Sequence, residues 1–188
     1  SDEWITQRSG IKERRFARED ETVIDMAEAA SRDAIAMAGL TPDQISVVLM
    51  ATVTHPYQTP AAAPLLAHRL GTNGPAAFDI SAACAGLSVF CVSGFWAEYV
   101  LVVGVEKLSD FTDKHDRGTA FIFGDGAGAA VVGPSDFPGI GPTIWGSDGD
   151  NWDKIIQKEP WTGLRGQMAE PQGESVDWPY FAMQGQSV

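Results

Sequence analysis

Cys84 stands among small residues in Phe78-Asp79-Ile80-Ser81-Ala82-Ala83-Cys84-Ala85-Gly86, a setting that suits a covalent nucleophile. A short apolar run ends there, small residues turn the chain, and a helix is expected to begin at the thiol. Free N–H groups at a helix N-terminus carry partial positive charge, which favours thiolate over thiol. Small neighbours also leave room for a carbonyl carbon to approach the sulfur. A lone cysteine is otherwise a small buried hydrophobe; the order strand, small turn, helix favours chemistry here. Cys91, inside Val89-Phe90-Cys91-Val92, reads as a core residue. The three histidines, His55, His68 and His115, share no ligand spacing with each other or with the cysteines, so no metal is expected.

A second constellation lies near the start. Trp4 is followed by five basic residues, Arg8, Lys12, Arg14, Arg15 and Arg18, in an otherwise acidic chain. Arg8 and its neighbours suit phosphates and Trp4 suits a planar base; a solvated basic face with a half-buried Trp fits the composition equally. Gly124-Asp125-Gly126-Ala127-Gly128-Ala129-Ala130 lacks the G-x-G-x-x-G spacing of a dinucleotide loop and runs on into Val131-Val132. Its glycines are expected to serve a tight turn and close backbone packing.

These residues need a scaffold. Val23, Ala27, Ala30, Ala34 and Ala38 recur at helical spacing, with Thr22 and Asp25 as a capping box and Gly39 as the stop. Val47 to Val53 reads as a buried strand, and Ala61 to Leu70 as a helix opened by Pro60 and closed by Gly71. Strands are expected at Ala76–Ile80, Tyr99–Val105, Thr119–Phe123 and Ala129–Val132. Gly133 to Pro142 is a connection, Asp148 to Asp177 shows no clear periodicity, and Tyr180 onward reads as the start of an element. Strands alternating with helices indicate an α/β layered fold.

The chain has 188 residues, 44% of them hydrophobic, enough for one good core or parts of two. A net charge of −12 argues against affinity for nucleic acid or an anionic membrane. Two cysteines are too few for a secreted disulfide scaffold, and no stretch is apolar enough to span a bilayer. A cytoplasmic setting is expected.

Six stretches occur in the order found in β-ketoacyl-acyl-carrier-protein synthase III, a member of the thiolase superfamily. They are Asp2-Glu3-Trp4-Ile5 with Arg8-Ser9-Gly10-Ile11; Gln58-Thr59-Pro60-Ala61; Asp79 to Gly86; Val103 to Ser109; Asp116-Arg117-Gly118-Thr119; and Phe123 to Ala129. The resemblance covers most of residues 1–147 and resumes over 178–188. It implies an α/β, thiolase-like layered α-β-α-β-α fold, with the first half nearly complete and the second largely missing. Residues 1–140 would be the first half, interrupted near 88–95; 141–177 the connection; and 178–188 the start of the second half.

The same resemblance implies an acyltransferase, in which Cys84 takes an acyl group from a primer acyl-CoA and a malonyl-acyl-carrier-protein then condenses with it. No separate cofactor is implied, and the expected partners are an acyl carrier protein and a second copy of the chain. Trp4 and Arg117 match positions flanking the CoA adenine, and Arg8 a phosphate contact. Leu108 and Phe123 match the acyl-pocket wall, Thr59 a residue closing that pocket from the neighbouring subunit, and Met183 and Gly185 the pantetheine tunnel. Thr59 in place of a large aromatic implies a longer or branched primer.

The chain also departs from the family pattern. The family pairs its cysteine with a His and an Asn from the second half, yet no His follows His115 and no Asn follows Asn151. The stretch between Cys84 and Tyr99 is shorter than the family's buried helix and exit loop, and a strand expected before Asp2 is absent. Either residues are omitted from the chain, or the remainder is on another polypeptide, or this is a defective fragment; omission is the favoured reading. Competing readings are a priming ketosynthase of a polyketide pathway, another thiolase-superfamily enzyme such as 3-hydroxy-3-methylglutaryl-CoA synthase, and a non-catalytic carrier-protein-binding homologue.

Overall fold

The computed structural model describes residues 2–86, 98–137, 139–142, 144, 146–169 and 177–185. Cys91 and any helix following the cysteine turn lie outside them. The chain forms two compact units, one of residues 17–107 with 125–145, the other of 1–16, 108–124 and 146–188.

The first unit is built on a four-stranded sheet of order β2-β1-β3-β4. Its strands are β1 (Val47–Ala51), β2 (Ala76–Ile80), β3 (Val100–Lys107) and β4 (Asp125–Val132). The central strand β1 runs parallel to both β2 and β3, while β4 is antiparallel to β3. All five residues of β1 are buried, as a continuous apolar run predicts.

Alternation along β1 and β3 sends Val48, Met50, Leu101, Val103 and Val105 to one face. Val47, Leu49, Val100 and Val102 go to the other. The first face is covered by helices α2 (Val23–Met37) and α3 (Ala62–Leu70). Ala27 and Ser31, both fully buried, give α2 a small-residue stripe, and the Ser31 hydroxyl is satisfied on the Ala27 carbonyl at 2.6 Å. Thr22 and Asp25 form the expected capping box, and Gly71 closes α3 at φ +79°, a conformation glycine adopts without steric cost.

The second unit holds α1 (Asp2–Ser9), α4 (Trp161–Ala169) and a two-stranded ribbon. That ribbon pairs β5 (Ile155–Gln157) antiparallel to β6 (Phe181–Met183). Phe111 is buried here among Trp161, Trp178 and Phe181, whose ring centroids lie 5.7–6.4 Å from its own. Trp178 Nε1 donates to the Asp110 carbonyl at 2.7 Å, so the indole is anchored as well as packed.

Three expectations are corrected. Thr119 to Phe123 is no strand but a series of turns: the amides of Thr119 and Ala120 donate to the Asp116 carbonyl, and that of Ile122 to Thr119. The Asp116 carboxylate starts these turns by accepting from the Gly118 amide and the Thr119 hydroxyl, which overrides the β-branched composition. Residues 126–128 belong to β4, and a Cβ on Gly126 or Gly128 would meet nothing, so close packing holds only at Gly124, against the Arg15 carbonyl. The stretch 148–177 contains β5 and α4. No helix among the described residues is long and apolar enough to cross a membrane.

Candidate active site

The cysteine turn leaves β2 at Ile80, whose register partner is Ala51 at the end of β1. After Ser81 and Ala82 the chain makes a 3-10 turn over Ala83–Ala85, closed by the Ala85 amide on the Ala82 carbonyl at 3.0 Å. Ala83 has φ +44°, a left-handed conformation that costs a residue with a Cβ about 1–2 kcal/mol. Strain of this kind marks a turn whose geometry is held by its surroundings.

The holding contact is at Gly86. It is buried, and a Cβ there would overlap the Cβ of Ala51, so the turn lies directly on the end of the central strand. Cys84 itself is exposed and unpaired to any sulfur among the described residues. An exposed thiol on a turn that follows the C-terminal end of a parallel strand stands where an α/β sheet presents reactive groups to a ligand.

Two carboxylates brace the surroundings, and the sequence reading assigned neither a role. Asp79 of β2 accepts the Ala62 and Ala63 amides at 2.7 Å each, capping α3, whose N-cap Ala61 has no side chain able to do so. Glu106 of β3 accepts from the Val53 amide at 3.0 Å and from the Thr54 and Thr52 hydroxyls at 2.6 and 3.3 Å. Burial pushes its carboxyl above the ordinary carboxylate range, against the pull of these hydrogen bonds. Thr59 lies exposed on the loop between β1 and α3, before a cis peptide to Pro60.

The other unit contains a cleft of about 550 Å³ lined by Trp4, Ile5, Arg14, Lys114, His115, Asp116, Arg117, Ala120 and Phe121. Trp4 meets Phe121 edge-on at 5.8 Å, and the Arg8 guanidinium sits 4.8 Å above the indole. The Asp116 turn carries Arg117 into the lining. Trp4, Arg8 and Arg117 are thus brought together, an aromatic face ringed by cations that suits a nucleobase bearing phosphates. Arg14, legible only as one of five basic residues near the start, and Lys114, which the sequence reading did not single out, join them. Leu108 and Phe123 are half-buried and do not line this cleft. Met183 pairs with Ile155 at the end of β6, and Gly185 follows, exposed.

Residues 78–149 match the family model described as 3-oxoacyl-(acyl-carrier-protein) synthase III. The whole chain aligns with β-ketoacyl-(acyl-carrier-protein) synthase III of Streptomyces glaucescens at 53% identity, covering 56% of that protein. The corresponding protein of Mycobacteroides abscessus is 48% identical over all of this chain and 56% of its own. Among solved structures, a priming β-ketosynthase of a polyketide biosynthetic pathway superposes with a TM-score of 0.85 at 42% identity, covering the whole chain and 56% of that structure. The 3-oxoacyl-(acyl-carrier-protein) synthase III of Pseudomonas aeruginosa superposes with a TM-score of 0.77 at 34% identity, again over 100% and 56%. The chain therefore spans a little over half the length of the relatives it matches.

Proposed function

We propose, from the premise that this chain belongs to the 3-oxoacyl-(acyl-carrier-protein) synthase III family, that it carries the acyl-accepting half of a condensing enzyme that starts fatty-acid synthesis. The observation that carries this reading is the exposed Cys84 on its strained turn, seated on Ala51 through Gly86. The Cys84 thiolate attacks the thioester carbon of a primer acyl-CoA, the C–S bond to CoA breaks, and CoA leaves as its thiolate. The backbone N–H of Cys84 stabilises the intermediate oxyanion. Malonyl-acyl-carrier-protein then loses carbon dioxide, and the resulting carbanion attacks the acyl-cysteine, releasing the sulfur and forming the new carbon–carbon bond. Dividing the condensation in two gives each step a lower barrier.

Trp4, Arg8 and Arg117 hold the nucleotide end of CoA. Leu108 and Phe123 wall the acyl chain, Thr59 closes the acyl pocket of the neighbouring subunit, and Met183 and Gly185 line the pantetheine path. The family resemblance implies a His and an Asn that assist decarboxylation; no His follows His115 and no Asn follows Asn151 in this sequence. The acting form is a cytoplasmic homodimer that needs no further cofactor and receives its second substrate from an acyl carrier protein. The likeness to a priming ketosynthase favours one second reading, in which the carrier belongs to a polyketide pathway.

Incubation with acetyl-CoA or isobutyryl-CoA followed by peptide mass mapping tests the first step. An acyl mass on the Cys84 peptide is expected, with none on Cys84→Ala; labelling that survives this substitution would sink the assignment. Isobutyryl-CoA is expected to label at least as well as acetyl-CoA because Thr59 is small, and labelling by acetyl-CoA alone would refute that role. Faster condensation with a polyketide carrier than with a fatty-acid carrier would favour the second reading.

A further inference from the structure

Between β1 and α3 the chain runs through a loop from Thr52 to Ala61, which carries Thr59. Carboxylates from the strands on either side of β1 fasten both of its ends. At the exit, Asp79 of β2 caps α3. At the entrance, Glu106 of β3 takes the Val53 amide and the Thr52 and Thr54 hydroxyls. Thr54 Oγ1 in turn accepts the Lys107 amide at 2.9 Å, so strand and loop brace each other. The Thr52 amide donates to the Ile80 carbonyl at 3.3 Å, carrying the same brace to the strand that ends in the cysteine turn.

Capping a helix accounts for Asp79, but nothing in the sheet's own hydrogen bonding requires a carboxylate at position 106. Such a group is costly where it stands, since burial disfavours its charge. Neighbouring Lys107 does not offset that cost, because its ammonium is spent on the carbonyls of Arg18, Glu19 and Glu21 at 2.9–3.3 Å. What the Glu106 carboxylate does uniquely is gather three consecutive residues of the loop, two of them buried threonines, into one geometry.

We infer that Glu106 is a positioning residue for acyl-chain selectivity, fixing the entrance of the Thr52–Ala61 loop and through it the place of Thr59. This rests on the reading of Thr59 as the residue that closes the acyl pocket of the neighbouring subunit. Glu106→Gln keeps the shape but turns an amide group toward donors, whereas Thr54→Val deletes one donor and Thr54→Ser retains it. The ratio of kcat/KM for isobutyryl-CoA to that for acetyl-CoA should change about fivefold in Glu106→Gln and Thr54→Val, the equivalent of roughly one lost hydrogen bond. Thr54→Ser should keep the parent ratio. Hydrogen exchange over residues 52–61 should quicken in the same two variants, while residues 47–51 of β1 stay protected.

A Glu106 that merely supports the fold would lower both specificity constants by one factor, and that result overturns the inference, as would unaltered exchange in the loop. If Glu106→Gln does not fold, Thr54→Val carries the same test. Thr59→Phe in the same assay separates this inference from its premise. A ratio unmoved by that change refutes Thr59 as the residue closing that pocket and with it the link to selectivity, while the exchange data still report whether Glu106 holds the loop.

Discussion

Gly86 shows how one missing methyl group sets the position of the Cys84 turn. The run of small residues around Cys84 can be read as space for a substrate, yet at Gly86 the space is filled by Ala51. A side chain at Gly86 must push the cysteine turn off the central strand. Overpacking of this kind costs about 1–3 kcal/mol. Gly86→Ala is therefore expected to lower stability by that amount in urea unfolding and to slow acyl transfer to Cys84. Adding Ala51→Gly removes the opposing methyl group and should recover part of both losses. A coupling energy of about 1 kcal/mol or more between the two substitutions is the signature of direct contact; strictly additive effects would mean that the turn does not rest on Ala51.

Helix α3 illustrates what local sequence can and cannot disclose about an element. Its carboxylate cap comes from Asp79, 17 residues downstream of Ala62. Replacing Asp79 by Ala leaves the Ala62 and Ala63 amides without their acceptor and should cost about 1–2 kcal/mol, read from the urea midpoint at unchanged slope. An unchanged midpoint would show that solvent satisfies those amides equally well. The contrast with α2 is instructive. Its capping box joins Thr22 to Asp25 within one turn, and both ends of that helix were legible from spacing alone. The central strands were legible too, because an apolar run buried on both faces needs no partner to be recognised. Thr119 to Phe123 was misread because the Asp116 carboxylate, which folds it into turns, outweighs its β-branched and aromatic composition. The short strand β5 escaped notice because it exists only through pairing with β6, some 26 residues later. The cleft residue Arg14 was visible only as one of five basic residues near the start, since its convergence with Lys114 and Arg117 joins segments distant in the chain.

For the whole molecule, charge balance sets a pH dependence with two opposing limbs. The net charge of −12 makes the folded chain self-repelling at neutral pH, and acidification relieves this. Glu106 acts in the same direction. Burial raises its folded pKa above the ordinary 4.5, so the stability it permits is fully present below 4.5 and is lost as pH rises through the higher folded value. Asp25 acts in the opposite sense. Hydrogen bonds from the Thr22 hydroxyl and amide, and then from Arg69, hold its pKa down to about 2. Its contribution is present above the ordinary 3.8 and disappears as pH falls from there toward 2. Solvent screens this half-exposed pair, so the lower limb is the shallower contribution of the two. The melting temperature should therefore rise from neutral into the mildly acidic range and fall again below about 3.8. Glu106→Gln should flatten the upper limb alone, since an amide pays no charging cost as pH rises. Asp25→Asn should flatten the lower limb alone. A melting temperature that falls steadily from neutral pH, or a Glu106→Gln curve parallel to the parent's, would show that the buried carboxylate does not shape the pH profile.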